Sequence, residues 1–178
     1  SRFAPRKQSM QLSVRSRYAG ELNDDLFDNG VTTFSSVLLR AAQEDTFSTH
    51  MRDVFMHQLA IKYFPTLLAQ DYKYTVLYIN GEYWGVYAFR EAHSADSYAN
   101  HYGYDADTVT QYKEAWDSGS ATEELYNFMC NNRISDNDEN YAYVSSHIDV
   151  DSLIPGTSLQ AYCRNMDHNP PHFLMLYS

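Results

Sequence analysis

The sequence predicts an α+β domain, and three observations support this class. Apolar and polar residues alternate near the amino terminus, a strong hairpin signal lies between Tyr74 and Phe89, and helical patterns dominate after Ser94. Strands that come early and helices that come late are typical of α+β folds. The 178 residues suit a single domain, and a hydrophobic content of 44% is enough to build its core.

Two strands are expected before the first helix. Met10, Leu12 and Val14 alternate with polar residues, which predicts a half-buried strand over about residues 8–15. An Asn-, Asp- and Gly-rich stretch over 19–33 is typical of a loop, and a short apolar run over 36–40 predicts a second, buried strand.

A helix is predicted from about residue 49 to Tyr63. Ser48 or Thr49 could cap its start, and Pro65 should end it. Its apolar positions recur at roughly helical spacing and predict the buried stripe Met51, Val54, Phe55, Leu59 and Ile61.

The strongest local signal is a hairpin around Asn80-Gly81. This pair is preferred in a two-residue type I′ turn, because both central residues need positive φ. The flanking runs are Y-T-V-L-Y-I and E-Y-W-G-V-Y-A-F. Gly85 interrupts the second strand, which predicts a bulge or the close approach of another backbone or a ligand.

The remaining chain is mainly helical. Ser94 should cap a helix that runs to about His101, and a short strand is expected over 108–112. Further helices are predicted over about 122–131 and 139–146, and another from near Asp149. Pro155-Gly156 should interrupt that last helix, with a restart at Ser158 toward residue 164.

Charge is unevenly distributed along the chain, whose formal net charge is −10. Residues 1–62 hold 8 Lys and Arg against 7 Asp and Glu, whereas residues 63–178 hold 5 against 16. This balance excludes a basic nucleic-acid-binding face beyond the amino-terminal stretch. No apolar run reaches the length of a membrane-spanning helix, so no transmembrane segment is expected. Cys130 and Cys163 could pair only if the fold brings them together.

Several polar groups are candidates for chemistry. Lys7 belongs to a basic cluster with Arg2 and Arg6, which could bind phosphates or form a solvated arm. Glu91 follows the hairpin and could face a cleft or water. Asp167, between a helix and a loop, could serve as a general base or a metal ligand.

Two metal motifs are weak. An EF-hand starting at Asp136 would need Gly and Glu where Tyr141 and His147 stand, so a solvated helix start is expected instead. His168 and His172 have a ligand-like spacing, but the prolines between them forbid a regular helix, and zinc would need a further ligand.

An ordered series of segments resembles the CotH kinase family. The series comprises R-F-A-P-R-K-Q-S-M-Q-L, L-L-R-A, H-M-R-D-V-F-M-H-Q-L-A, Y-I-N-G-E-Y-W-G-V-Y-A-F-R-E, Y-G-Y-D-A-D-T-V, N-N-R-I-S-D-N-D-E-N-Y, I-D-V-D-S-L-I and C-R-N-M-D. The resemblance covers nearly the whole chain. It implies an atypical protein-kinase-like fold, with a strand-rich lobe over residues 1–92 and a mainly helical lobe over 93–178.

The resemblance also implies an activity, namely phosphoryl transfer from ATP, with Mg²⁺ or Mn²⁺, to Ser or Thr of a protein. Asp167 resembles the catalytic-loop Asp, Lys7 the Lys that approaches the phosphates, and Glu91 a residue of the nucleotide cleft. The family has a metal-binding Asn a few residues after this Asp, but Pro171 and His172 stand in that region; Asn169 is the nearest amide and His172 a possible substitute ligand.

The chain departs from the family pattern at three further places. Arg164 stands where Gly is common before the catalytic loop, Pro155-Gly156 falls inside a helix, and the second metal-binding Asp is expected beyond Ser178, so the domain is expected to be incomplete at both ends. The resemblance therefore leaves a second possibility, a non-catalytic coat or cell-surface protein that uses this fold to bind protein partners. It favours a spore coat, a cell surface or secretion as the location.

Overall fold

The computed structural model describes residues 7–15, 17–18, 20–42, 45, 49–112, 121–165 and 175–177. Within these ranges the fold is α+β. The strands are β1 (Met10–Ser13), β2 (Leu22–Asn23), β3 (Thr33–Phe34), β4 (Ser36–Arg40), β5 (Tyr72–Ile79), β6 (Glu82–Glu91), β7 (Thr110–Tyr112) and β8 (Met175–Tyr177). The helices are α1 (Arg52–Tyr63), α2 (Ala95–Tyr102), α3 (Ala121–Asn131), α4 (Asp138–Ser145) and α5 (Val150–Tyr162).

The main sheet is antiparallel and has the strand order β1-β4-β6-β5. Side chains alternate between its two faces. The core face carries two apolar clusters: Phe27 and Phe34 pack with Val37 in one, and Leu39 packs with Tyr87 in the other. The other face, which we call the cleft face, carries Arg40, Val86, Ala88 and Arg90 and is approached by α1.

The predicted hairpin is confirmed in detail. Asn80 and Gly81 have φ values of 52° and 84°, as a type I′ turn requires. The register of β5 and β6 shifts between Leu77 and Tyr78, so the predicted irregularity at Gly85 is a β-bulge.

Helix α1 lies where it was predicted, but its cap and buried stripe differ. Asp45 supplies most of the cap, because its carboxylate accepts hydrogen bonds from the backbone N–H groups of Met51 and Arg52 at 2.7 and 3.0 Å. The hydroxyl of Thr49, one of the two predicted caps, also accepts from the Met51 N–H at 3.3 Å, and Ser48 lies outside the described residues. Met51 and Phe55 of the predicted stripe are half exposed, whereas Val54 is buried. The helix faces a polar cleft on one side, so apolar spacing alone could not identify its buried side.

The predicted interruption at Pro155-Gly156 is wrong, because helix α5 continues through both residues. Proline cannot donate to the carbonyl four residues earlier, that of Asp151. The hydroxyl of Thr66 donates to that carbonyl at 3.0 Å instead. A Cβ on Gly156 would lie 3.4 Å from Leu67, so α5 packs closely against the chain after α1 at this point.

The carboxy-terminal part contains further confirmed elements. Ser94 caps α2, and its hydroxyl accepts from the N–H of Ser97 at 3.1 Å.

Two short pairings were not predicted, β2 with β3 and β7 with β8. Cys130 and Cys163 are free thiols. None of the helices in the described ranges is long and apolar enough to cross a membrane.

Candidate functional site

A cleft of about 450 Å³ opens between the cleft face of the sheet and the start of α1. Its size falls within the range of small-molecule sites. The residues that give it chemical character are Lys7, Arg40, Asp53, Tyr74, Tyr83 and Gly85. Two cations, one carboxylate and two aromatic rings therefore surround one space, which suits an anionic ligand with a planar group.

Lys7 reaches into this cleft from the chain just before β1. Its ammonium donates to the carbonyl of Val86 and lies 4.2 Å from the centre of the Tyr87 ring. The N–H of Ala41 donates to the Ser9 hydroxyl at 3.0 Å, which holds the lysine segment beside the end of β4. Burial lowers the pKa of Lys7 from its ordinary value of 10.5.

Asp53, in the first turn of α1, connects the helix to two strands. Its Oδ2 atom accepts from Nη1 of Arg90 at 2.6 Å and lies 3.3 Å from Nε of Arg40. Arg40 ends β4 and is half exposed in the cleft, whereas Arg90 is only 5% exposed. One carboxylate thus neutralises a buried guanidinium and orients an accessible one.

His57 lies one turn after Asp53 and is held neutral. Its Nδ1 atom accepts a hydrogen bond from the backbone N–H of Gln70 at 3.0 Å. Burial, and then the positive charge of Arg90, lower the pKa of His57 to about 4. Burial and Arg90 also lower the pKa of the neighbouring His93.

Glu91 lies next to Arg90 in sequence but on the opposite face of the sheet. Its side chain is almost completely buried and accepts from Nδ2 of Asn29 and binds Nε2 of His101, both at 2.8 Å. Asn29 also donates to Asp71 at 2.8 Å. The hydrogen bond with Glu91 is the main cause that raises the pKa of His101. This network joins the end of the sheet to α2.

The predicted site residues are distributed as follows. Lys7 lines the cleft, and Glu91 lies across the sheet from it. Asp167, Asn169 and His172 lie outside the described residues, as do His168 and the amino-terminal arginines.

Sequence reasoning missed Arg40 and Asp53 as a pair. The available signal was modest: a cation ends one predicted strand, and a carboxylate opens the helix that follows it. Elements that follow one another along the chain are adjacent in space often enough to suggest this contact.

The acidic segment near Asp136 has the expected structural role. The side chain of Asn137 caps α4 by accepting from the N–H of Asn140 at 2.7 Å. In the part of the chain that the structure describes, no group of three or more His, Cys, Asp or Glu could hold a metal ion.

Of three comparisons with known proteins, one gives a match. Neither the curated proteins nor the solved structures contain a match to this chain. The model of the family described as CotH kinase protein matches residues 1–178. The match spans the whole sequence, including both sides of the cleft, and the chain therefore belongs to the CotH kinase family.

Proposed function

We propose that this chain is a phosphotransferase domain that transfers the terminal phosphoryl group of ATP to a Ser or Thr hydroxyl of a protein. Family membership supports a kinase-like activity. The observation that carries the proposal is the cleft, where Lys7 and Arg40 present positive charge beside the aromatic side chains of Tyr74 and Tyr83.

Lys7 and Arg40 suit phosphate oxygens in different ways. An ammonium has three N–H donors, and the described residues engage one of them at the Val86 carbonyl. A guanidinium offers a planar set of donors that can hold two oxygens at once. In this proposal both side chains bind the phosphates of the nucleotide.

The ion pair between Arg40 and Asp53 supports a kinase-like arrangement. Protein kinases use a Lys on a strand and a Glu on the following helix as an ion pair that orders the phosphate site. Here the cation ends β4 and the carboxylate opens α1, with 3.3 Å between Nε and Oδ2. Asp53 would hold Arg40 in the orientation that binds phosphate.

Asp167 is proposed to accept the hydrogen bond of the substrate hydroxyl and to take its proton. The hydroxyl oxygen then forms a bond to the terminal phosphorus, and the bond to the bridging oxygen of ADP breaks. A divalent cation, Mg²⁺ or Mn²⁺, supplies charge neutralisation at the phosphates. Asn169 and His172 are proposed as its ligands, because they lie where the family resemblance places a metal-binding residue.

The proposal is tested by titrating the protein with Mg-ATP and Mn-ATP in a calorimeter. Lys7→Ala should weaken binding by about 10- to 100-fold, because a hydrogen bond to a charged group contributes roughly 1.5–3 kcal/mol. Lys62→Ala is the matched control, since Lys62 is an exposed lysine of α1 outside the cleft. Equal affinities for the two variants would contradict a phosphate-binding role for Lys7.

The phosphoryl-transfer step has its own test. If the protein phosphorylates a partner, Asp167→Asn should lower the rate by on the order of 10²–10⁴-fold while ATP affinity changes little. An unchanged rate would show that another group acts on the hydroxyl.

A second candidate function is a non-catalytic coat or cell-surface protein that binds other proteins. The observation that favours it is an apolar strip on the hairpin. Val76 and Val86 face each other, as do Tyr78 and Tyr83, and all four side chains are 44–61% exposed. Exposed apolar patches of this kind mark interaction sites. A folded wild-type protein that gives no heat and no thermal shift with either metal-nucleotide pair would favour this function.

A further inference from the structure

The side chain of Lys7 lies across three consecutive residues of β6, Gly85, Val86 and Tyr87, which we call the lysine seat. Val86 provides a carbonyl acceptor, and Tyr87 provides a ring whose centre lies 4.2 Å from the ammonium. A cation over a tyrosine face is attracted by the ring quadrupole. Two residues of the seat therefore contact the charged end of Lys7 directly.

Gly85 belongs to the seat because, without a Cβ, it leaves room for the stem of Lys7. A Cβ built at this position would lie 3.3 Å from Cε, 3.5 Å from Nζ and 3.9 Å from Cδ of Lys7. These three atoms are its nearest neighbours, and the first distance is tighter than most real Cβ contacts allow. An alanine methyl at this position would therefore require the lysine stem to shift by a few tenths of an ångström.

The backbone at Gly85 has a second requirement. Its φ is +113°, in the region that L side chains rarely adopt, and it follows the bulge in β6. Gly81 in the same hairpin also has positive φ, at +84°, but a Cβ there would meet nothing within 4 Å. A substitution at either glycine therefore strains the backbone, but only a substitution at Gly85 also meets Lys7.

We propose that Gly85 is a positioning residue for Lys7: its bare backbone lets the lysine stem lie against β6 and present the ammonium to the cleft. The nucleotide part of this inference rests on the proposed function, whereas the seat itself rests on the contacts of Lys7. An alanine at position 85 would push the lysine stem away from β6 and so weaken its contacts with the Val86 carbonyl and the Tyr87 ring.

The first test measures Lys7 itself, without nucleotide. The lysine Cε and Nζ resonances are followed against pH by NMR in wild type, Gly85→Ala and Gly81→Ala. The lowered pKa of Lys7 should move toward its ordinary value in Gly85→Ala, because the lysine leaves its half-buried position. Gly81→Ala should leave the titration unchanged. If Lys7 titrates in Gly85→Ala as it does in the wild type, the proposal is wrong.

The second test uses stability and holds even if Gly85→Ala folds poorly. Gly85→Ala should lower the melting temperature more than Gly81→Ala, since it adds a clash to the backbone strain. Adding Lys7→Ala should remove that excess, because the methyl group then meets no lysine stem. A double variant as unstable as the sum of the two single variants would contradict the seat.

The third test connects the seat to the nucleotide. Gly85→Ala should weaken ATP binding by at most the factor seen for Lys7→Ala, and the double variant should bind no more weakly than Lys7→Ala alone. If wild type binds no ATP but the first two tests succeed, the proposed function fails and the seat stands. If ATP binds and Gly85→Ala binds it as wild type does, the positioning role is wrong.

Discussion

Arg90 and Glu91 are adjacent in β6, both are buried, and their charges are balanced in different ways. Arg90 points to the cleft face and pairs with a full opposite charge on Asp53, at 2.6 Å. Glu91 points to the core face and binds a neutral amide, that of Asn29, and the titratable ring of His101. The pairing of Arg90 is permanent at ordinary pH, whereas the environment of Glu91 changes with the protonation of one histidine.

This difference between Arg90 and Glu91 divides the sheet into two functional sides. The cleft side is built around a fixed ion pair that also orients Arg40, which a binding site needs. The opposite side joins the sheet to α2 through a group that can gain or lose charge. One strand therefore combines a constant contact and a pH-dependent contact at neighbouring positions.

The largest effect should come from breaking the fixed pair. Asp53→Ala leaves Arg90 buried without its carboxylate and should lower the free energy of unfolding by about 3–5 kcal/mol, measured in urea. Asp151→Ala is a suitable control, because Asp151 is also a first-turn aspartate, on α5, and is exposed. Adding Arg90→Met should restore part of the loss. If Asp53→Ala behaves like Asp151→Ala, the pair is not a stabilising feature.

The next largest effect on stability should come from His57, which lies one helical turn after Asp53. Its folded-state pKa of about 4 lies below the unfolded value near 6.5, so the unfolded chain binds its proton first. Stability should therefore fall as pH drops from 6.5 toward 4, by up to roughly 3 kcal/mol from this group. His57→Gln should flatten the decline, as measured by urea unfolding at a series of pH values. A variant with the wild-type slope would assign the decline to other groups.

The smallest effect should come from Glu91 and His101. The pKa of His101 is raised in the folded state, so its contribution to stability is complete below the unfolded value near 6.5 and is lost as pH rises through the folded value. Glu91→Gln keeps a hydrogen-bonding group but removes the charge, at a cost of about 1.5–3 kcal/mol. The difference from wild type should be larger at about pH 6 than at about pH 9. A difference independent of pH would show that His101 does not respond to Glu91.

Local sequence signals predicted much of this fold. The Asn80-Gly81 turn, the bulge at Gly85, the cap at Ser94 and the strand Ser36–Arg40 all depend on the conformational preferences of a few neighbouring residues. Such preferences can be recognised in the sequence without knowledge of distant contacts.

The features that were missed depend on contacts between distant parts of the chain. Asp45 caps α1 from outside the expected position, and the Asp53 carboxylate is shared between residues of two different strands. The cleft itself arises from the packing of a helix against a sheet, which no single segment encodes. Lys7 was predicted from a family resemblance, and its contacts with β6 came only from the structure.

The hydroxyl of Thr66 has a further consequence for how the protein holds together. It satisfies the carbonyl of Asp151 that Pro155 leaves without its helical partner. In the same place Ser152 donates to the carbonyl of Thr66 at 2.7 Å, so the bonding is reciprocal. The carbonyl of Asp151 thus has a protein partner only when the segment after α1 is docked on α5, and water would take that place if the two separated. These reciprocal hydrogen bonds fix the position of α5 relative to the segment after α1.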